Sequence, residues 1–176
     1  MNYPSRNRFE HIEHKIIDLT SAISRVQMWR LKDNKVVFTN GCFDILHQGH
    51  VSYLAGAAQL GSKFIVGINS DSSVKQLGKG DNRPVNNQDS RAFVLAALGF
   101  VDMVVIYDEA TPLEVIKALQ PDVLAKGADY DPNETDESSK TYIVGSKEVK
   151  SNGGEVVAIP LVEGFSTTKI IEKING

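Results

Sequence analysis

Five short apolar runs rich in β-branched residues recur along the chain: KVVFTN (35–40), FIVGIN (64–69), MVVIY (103–107), DVLAKG (122–127) and EVVAIPL (155–161). Each has the length of a strand, and its near-continuous apolar character is what a strand buried on both faces requires. The intervals carry helical spacing instead, as in Val51, Leu54, Ala55 and Ala58, then Phe93, Val94 and Ala97, then Leu113, Ile116 and Leu119. This alternation confines the chain to the α/β class, with a mostly parallel sheet and right-handed crossovers.

Helix ends are written between the runs. TPLE places Thr111 as N-cap, Pro112 at the first helical position and Glu114 at the third, a capping box whose proline gives up only an unpaired amide. The glycines of SNGGE (151–155) suit a left-handed helix stop before the last strand. Residues 8–31 read as one polar, amphipathic helix with Ile12, Ile16, Leu19, Ile23 and Val26 on a shared face and Trp29 in packing. Residues 1–34 are therefore expected to form a helical extension and residues 35–176 the main domain. The acidic, aperiodic run DYDPNETDESSK (129–140) reads as a loop or mobile lid. The tail GFSTTKIIEKI (164–174) reads as a loop entering a short helix capped by Ser166 or Thr167.

Composition removes several function classes. A length of 176 residues suits one domain. The net charge of -3 lacks the basic excess that a nucleic-acid partner requires. No apolar run approaches the roughly 18 residues of a membrane span. MNYPSRNRFEHIEHK also lacks the apolar core of a signal peptide, so no membrane partner is expected and the cytoplasm is the expected compartment. The single cysteine, Cys42, fits a reducing environment and reads as a small buried hydrophobe.

An α/β sheet binds ligand at the carboxyl ends of its strands, so the turn after the first strand is where chemistry should lie. That turn, TNGCFDILHQGH (39–50), carries neither a dinucleotide-binding nor a Walker A glycine pattern. It offers Asn40 and Gly41 for a tight bend, then Asp44, then His47, Gly49 and His50 leading into a helix. Histidines spaced i, i+3 in a first helical turn point the same way, beside backbone amides with no intrahelical partner. Gly49 would let a phosphate approach the backbone, and the helix end favours negative charge. The second pair, His11 and His14, lies on a charged helix and reads as solvated surface.

HQGH resembles the signature of the HxGH nucleotidyltransferases, the cytidylyltransferase-like superfamily, which transfer a nucleoside monophosphate to a phosphorylated acceptor and release pyrophosphate. GINSDSSVKQLGKGDNRPV, DSRAFVLAALGFVDMVV, LAKGADY, GSKEVKSNGGEVV and FSTTKIIEKI follow in order, so the resemblance covers about residues 30–174. It implies a Rossmann-like, doubly wound, parallel five-stranded sheet in one domain preceded by an N-terminal helix. Within the superfamily the chain is most similar to the heptose 1-phosphate adenylyltransferases that make ADP-heptose for lipopolysaccharide.

The resemblance implies roles at matching positions. His47 and His50 would stabilise charge at the α-phosphorus, with Lys79 gripping phosphate and Asp44 arranging phosphates or magnesium. Asn40, Gly41, Phe43, Gly49, Lys75, Arg91, Lys126, Gly127, Asp129 and Tyr130 would line the nucleotide site. Ser166, Thr167 and Thr168 would hold phosphate at the last helix, and Asn69 and Asp71 would lie near the acceptor. ATP would be the substrate and Mg2+ the accompanying ion, with no metal ligand assigned in the chain. A phosphorylated sugar, a homodimeric partner copy and a separate sugar kinase complete the expected partners. Two readings stay open beside this one: CTP with glycerol 3-phosphate or another polyol phosphate, and a non-catalytic nucleotide-binding module. LVEGFSTT has Leu161 and Val162 where glycerol-3-phosphate cytidylyltransferases carry an arginine, which favours the sugar branch.

Overall fold

The computed structural model describes residues 7–78, 83–162, 164–167, 170, 171 and 173. Lys79 and Thr168 lie outside the described residues. All five expected strands form: β1 (Val36–Gly41), β2 (Lys63–Asn69), β3 (Met103–Tyr107), β4 (Val123–Gly127) and β5 (Glu155–Ile159). They make one parallel sheet in the order β3-β2-β1-β4-β5. Alternate residues serve opposite faces. Val37, Phe64, Val66, Val104 and Ala125 meet α3 (Gln48–Ala58) and α5 (Gln88–Ala96) on one side. Val36, Phe38, Ile65, Met103 and Leu124 meet α2 (Leu19–Arg30), α6 (Leu113–Leu119) and α7 (Ser146–Ser151) on the other. The chain has a Rossmann-like α/β fold, wound on both faces.

Two aspartates fix the amino ends of the strands. Asp122 Oδ2 accepts from the amide of Val36 at 2.7 Å, across the β4–β1 boundary. Asp102 does the same across the β3–β2 boundary, accepting from the Phe64 amide at 2.9 Å and pairing with Lys63 Nζ at 2.9 Å. Each carboxylate satisfies a leading strand amide that would otherwise be unpaired, and so pins register.

The N-terminal segment departs from the single helix expected over residues 8–31. It forms α1 (Arg8–Glu13) and α2, separated by an extended step. Ile16 makes a parallel bridge to Val104, with the Ile17 amide donating to the Val104 carbonyl and the Val104 amide to the Lys15 carbonyl. Asp18 then caps α2 by accepting from the Ser21 amide at 2.9 Å. The apolar face is real but divided: Ile12 and Ile16 pack on the α3 side, while Ile23 and Val26 pack on the α2 side. His11 and His14 are exposed, as read from the sequence.

Three smaller differences have local causes. Pro112, not Thr111, is the N-cap of α6, no side chain caps that helix, and Glu114 pairs with Lys117 instead. α4 (Asp71–Gln76) has no counterpart in the sequence reading because it is short and serine-rich. Gly153, at φ +80°, supplies the expected left-handed stop after α7. The acidic stretch is indeed without helix or strand, yet Asp131 donates its amide to the Thr141 carbonyl at 2.9 Å and Ile143 is fully buried. Ile143→Ala should cost about 2–5 kcal/mol in urea denaturation, since it leaves a cavity. Glu137→Ala, at an exposed position of the same loop, should change stability by less than about 0.5 kcal/mol.

Candidate active site

β1 is the strand from which the chain departs in both directions, to β2 on one side and β4 on the other. Loops leaving its carboxyl end diverge there, and a crevice opens at that switch point. Asn40 and Gly41 complete the strand and do not make the tight bend expected of them. The bend belongs to Phe43, left-handed at φ 46°, whose ring lies 3.0 Å from where a Cβ on Gly41 would stand. A non-glycine residue in that conformation costs about 1–2 kcal/mol. Its ring is buried and meets His50 edge-on, with centroids 5.4 Å apart at 75°.

His47 is the N-cap of α3, its Nδ1 accepting from the His50 amide at 3.3 Å. The two imidazoles stack with centroids 3.8 Å apart and planes inclined by 17°. With Nδ1 of His47 used as an acceptor, neutral His47 carries its proton on Nε2. Gly49 makes this packing possible, because a Cβ there would lie 2.9 Å from Phe165 Cβ and 3.1 Å from the His47 ring. Burial pushes the His50 pKa down to about 4, with the His47 charge adding to the effect and a hydrogen bond with the Ile45 backbone opposing it. Burial lowers His47 as well. At neutral pH both imidazoles are therefore uncharged where they border the crevice.

The crevice has a volume of about 840 Å³. The described residues that line it include Asn40, Gly41, Phe43, Asp44, His47, Gly49, His50, Asn69, Lys126, Gly127, Asp129, Tyr130, Ser166 and Thr167, all named from the sequence. Lys126 Nζ donates to the Asn40 carbonyl at 3.3 Å and sits 5.2 Å from the Tyr130 ring centre. The Ile170 amide donates to the Ser166 carbonyl at 3.2 Å, which puts Ser166 at the start of the last helical turn.

Other expected residues are placed elsewhere. Lys75 is exposed on α4 and does not line the crevice. Arg91, expected at the nucleotide, is buried at 2% exposure. Its nitrogens donate to the Asn86 carbonyl at 3.0 Å, the Cys42 carbonyl at 2.8 Å and Asp71 Oδ1 at 2.7 Å. Asp71, expected near the acceptor, is thereby held beside α5 and outside the crevice lining. Asp44 lines the crevice, but its Oδ1 accepts from the amides of Val85 and Asn86 at 2.8 and 2.9 Å, while Oδ2 pairs with Arg83 Nε at 2.5 Å. Two backbone amides thus hold one oxygen of that carboxylate and Arg83 faces the other. No group of three or more metal-ligating side chains occurs among the described residues.

Sequence reasoning passed over Arg83, Tyr107, Thr111, Tyr142 and Phe165, all of which line the crevice. Arg83 stood in the quoted GKGDNRPV, but a basic residue in a polar loop carries no sign of which way it points. Cys42, read as a buried hydrophobe, is half-buried and lines the crevice, with Sγ 3.6 Å from Asn69 Oδ1. No helix among the described residues is long and apolar enough to cross a membrane.

The lowered His50 pKa makes a testable claim about stability. Between its unfolded value near 6.5 and about 4, the unfolded chain binds a proton that the folded chain does not. Stability from this group is therefore present above pH 6.5 and lost as pH falls through that window. In thermal melts, wild type should lose Tm more steeply than His50→Asn between pH 6.5 and 4. Gly49→Ala should destabilise by about 1–3 kcal/mol, the usual cost of overpacking, measured by denaturant titration.

A family model described as cytidylyltransferase-like matches residues 38–173. Relatives named bifunctional protein HldE, from Campylobacter concisus and Vibrio cholerae, are 54% and 50% identical over 95% and 93% of this chain. The chain spans only 32% and 33% of their lengths. A crystal structure described as the lipopolysaccharide core biosynthesis protein from Thermoplasma volcanium is 25% identical, with a TM-score of 0.55 over 73% of this chain and 97% of that one. The pantoate–β-alanine ligase of Francisella tularensis, solved with β-γ ATP and β-alanine, shares the fold at 15% identity, with a TM-score of 0.58 over 91% of this chain and 76% of that one. The matched span runs from β1 through the stacked histidines to the last helical turn, and the chain belongs to the cytidylyltransferase-like family.

Proposed function

We propose that the chain is an adenylyltransferase that moves AMP from ATP to a sugar 1-phosphate of the heptose type and releases pyrophosphate. The observation that carries this reading is the stacked pair His47 and His50 at the start of α3, opening into a crevice with room for two substrates. An oxygen of the acceptor phosphate would bond to the α-phosphorus as the bond to the bridging oxygen breaks, and pyrophosphate would carry away the electron pair. The attacking phosphate is ionised at neutral pH, so no general base is needed. Positioning two mutually repelling anions and stabilising charge in the transition state remain as the protein's tasks.

His47 suits the second task as a neutral Nε2–H donor, and a bound anion would raise the proton affinity of both histidines. Lys126, Ser166 and Thr167 lie on the same wall and would grip the triphosphate. Gly127, Asp129 and Tyr130 would hold the nucleoside. Mg2+ would enter with the triphosphate, neutralising its charge, as that ion does when it keeps most of its water. Lys79 and Thr168, outside the described residues, keep the phosphate roles that the family resemblance implies. A homodimer, a cytoplasmic setting and a separate sugar kinase supplying the acceptor belong to the same proposal. So does the division at residues 34 and 35.

The direction toward sugar over polyol rests on the sequence resemblance and on the likeness to a protein described by its part in lipopolysaccharide core synthesis. Pyrophosphate release should be measured with ATP and CTP, each against heptose 1-phosphate and glycerol 3-phosphate, with products weighed by mass spectrometry. ADP-heptose is the expected product; CDP-glycerol would replace the reading with its rival, and no release from any pair would end the enzymatic claim. His50→Ala should lower kcat by two to three decades, about 3–4 kcal/mol of lost stabilisation, with an unchanged circular dichroism spectrum.

A further inference from the structure

The sheet order divides the crevice into two flanks that meet at the histidine pair. Beyond β4, its wall carries Tyr130, Leu161 and Phe165, flat and apolar surface that suits a base. Toward β3 the wall carries the polar groups of Asn69, Tyr107, Thr111 and Arg83 beside Leu77, Ala110 and Pro112. Among the described residues, the lysine and arginine side chains lining the crevice stand one on each flank, Lys126 on the first and Arg83 on the second.

We infer that Arg83 binds the phosphate of the acceptor and thereby sets which phosphorylated compounds can attack. This rests on the nucleotidyl transfer proposed above and assigns its second substrate a place. The Arg83 side chain is 14% exposed, and its Nε is taken by Asp44, whose own side chain is fully buried. Its two terminal nitrogens bond to no described residue. A guanidinium held on one edge presents the other as a fork matched to phosphate oxygens. Asp44 fixes more than that one contact. The same carboxylate accepts the amides of Val85 and Asn86, and Asn86 Nδ2 donates to the Asp44 carbonyl at 2.6 Å. Asp44 stands three residues before His47 in the same turn. The cation is therefore held in register with the histidines, and Asp44 acts as a positioning residue for it.

The chemistry asks for such a group. An acceptor phosphate must sit beside the α-phosphorus of a triphosphate against mutual repulsion, and a half-buried cation offsets that repulsion more than an exposed one would. Asn40 Oδ1, buried in the crevice floor without a hydrogen-bond partner, would accept from a hydroxyl of the attached sugar. Arg83 exchanges no proton in the step; it holds an oxygen where the new phosphorus–oxygen bond forms.

The test compares wild type with Arg83→Lys, Arg83→Met and the double variant Asp44→Asn/Arg83→Met. The double variant removes both charges and so serves if Arg83→Met alone leaves Asp44 unpaired and unfolds the chain. With ATP and heptose 1-phosphate, loss of Arg83 should raise the acceptor KM at least tenfold, with KM for ATP within about twofold and Arg83→Lys falling between. ATP affinity alone, by titration calorimetry, should stay at the wild-type value. If wild type turns over but the variants change KM for ATP, or neither constant, the Arg83 assignment fails while the activity stands. If wild type neither turns over nor binds heptose 1-phosphate, the activity falls, and calorimetry with inorganic phosphate judges Arg83 separately. Binding that disappears in Arg83→Met supports an anion site at Arg83, and binding equal to wild type, or absent from wild type, overturns it.

Discussion

β1 is hydrogen-bonded on both sides, and everything functional follows from that constraint. Since β2 and β4 both run parallel to it, the segments leaving their shared carboxyl edge turn to opposite faces of the sheet. No packing of side chains closes the gap between them. What stands in it comes from the turn after β1: a left-handed phenylalanine, a capping histidine and the glycine that admits both Phe165 and the His47 ring. The resulting floor is preorganised before any ligand arrives, because each imidazole is held by its neighbours.

The loops around that floor are joined by buried charge. Arg91 reaches from α5 to the Cys42 and Asn86 carbonyls and to Asp71, tying three segments that are far apart in sequence. Asp44 does the converse with a negative group. A guanidinium and a carboxylate bury well here because nearly every donor and acceptor finds a partner; removing one member of such a set leaves an uncompensated charge and typically costs about 3–5 kcal/mol. These two residues support the site by shaping it.

The strands, the helix stops and the histidine turn were legible because their signals are local: a β-branched run, a glycine, a spacing of three. The segments LAKGADY and FSTT were legible through resemblance, and Lys126, Gly127, Asp129, Tyr130, Ser166 and Thr167 from them do line the crevice. What was not legible is direction. Arg91 and Arg83 are the same residue type in neighbouring polar stretches, yet one is internal structure and the other faces the cleft. Residue type near a phosphate site suggests ligand contact, and only the fold decides whether protein carbonyls take the donors first. The break at Lys15–Ile17 was hidden for a related reason, since a helical stripe continues through it and the pull came from the edge of β3.

That edge has a consequence for how the molecule keeps to itself. A parallel sheet ends in two strands with unpaired backbone groups, which are templates for pairing with another chain. At β5 the strand begins with exposed Glu155 and is followed by Pro160, a charge and a residue without an amide hydrogen. At β3 the protection is borrowed: Lys15, Ile16 and Ile17 occupy the Val104 backbone groups from outside. Lys15–Ile17 therefore shield that stretch of β3 from strand pairing with another chain. A chain beginning at Asp18 would expose the rim of β3 to its own copies, and light scattering would register the aggregates that follow.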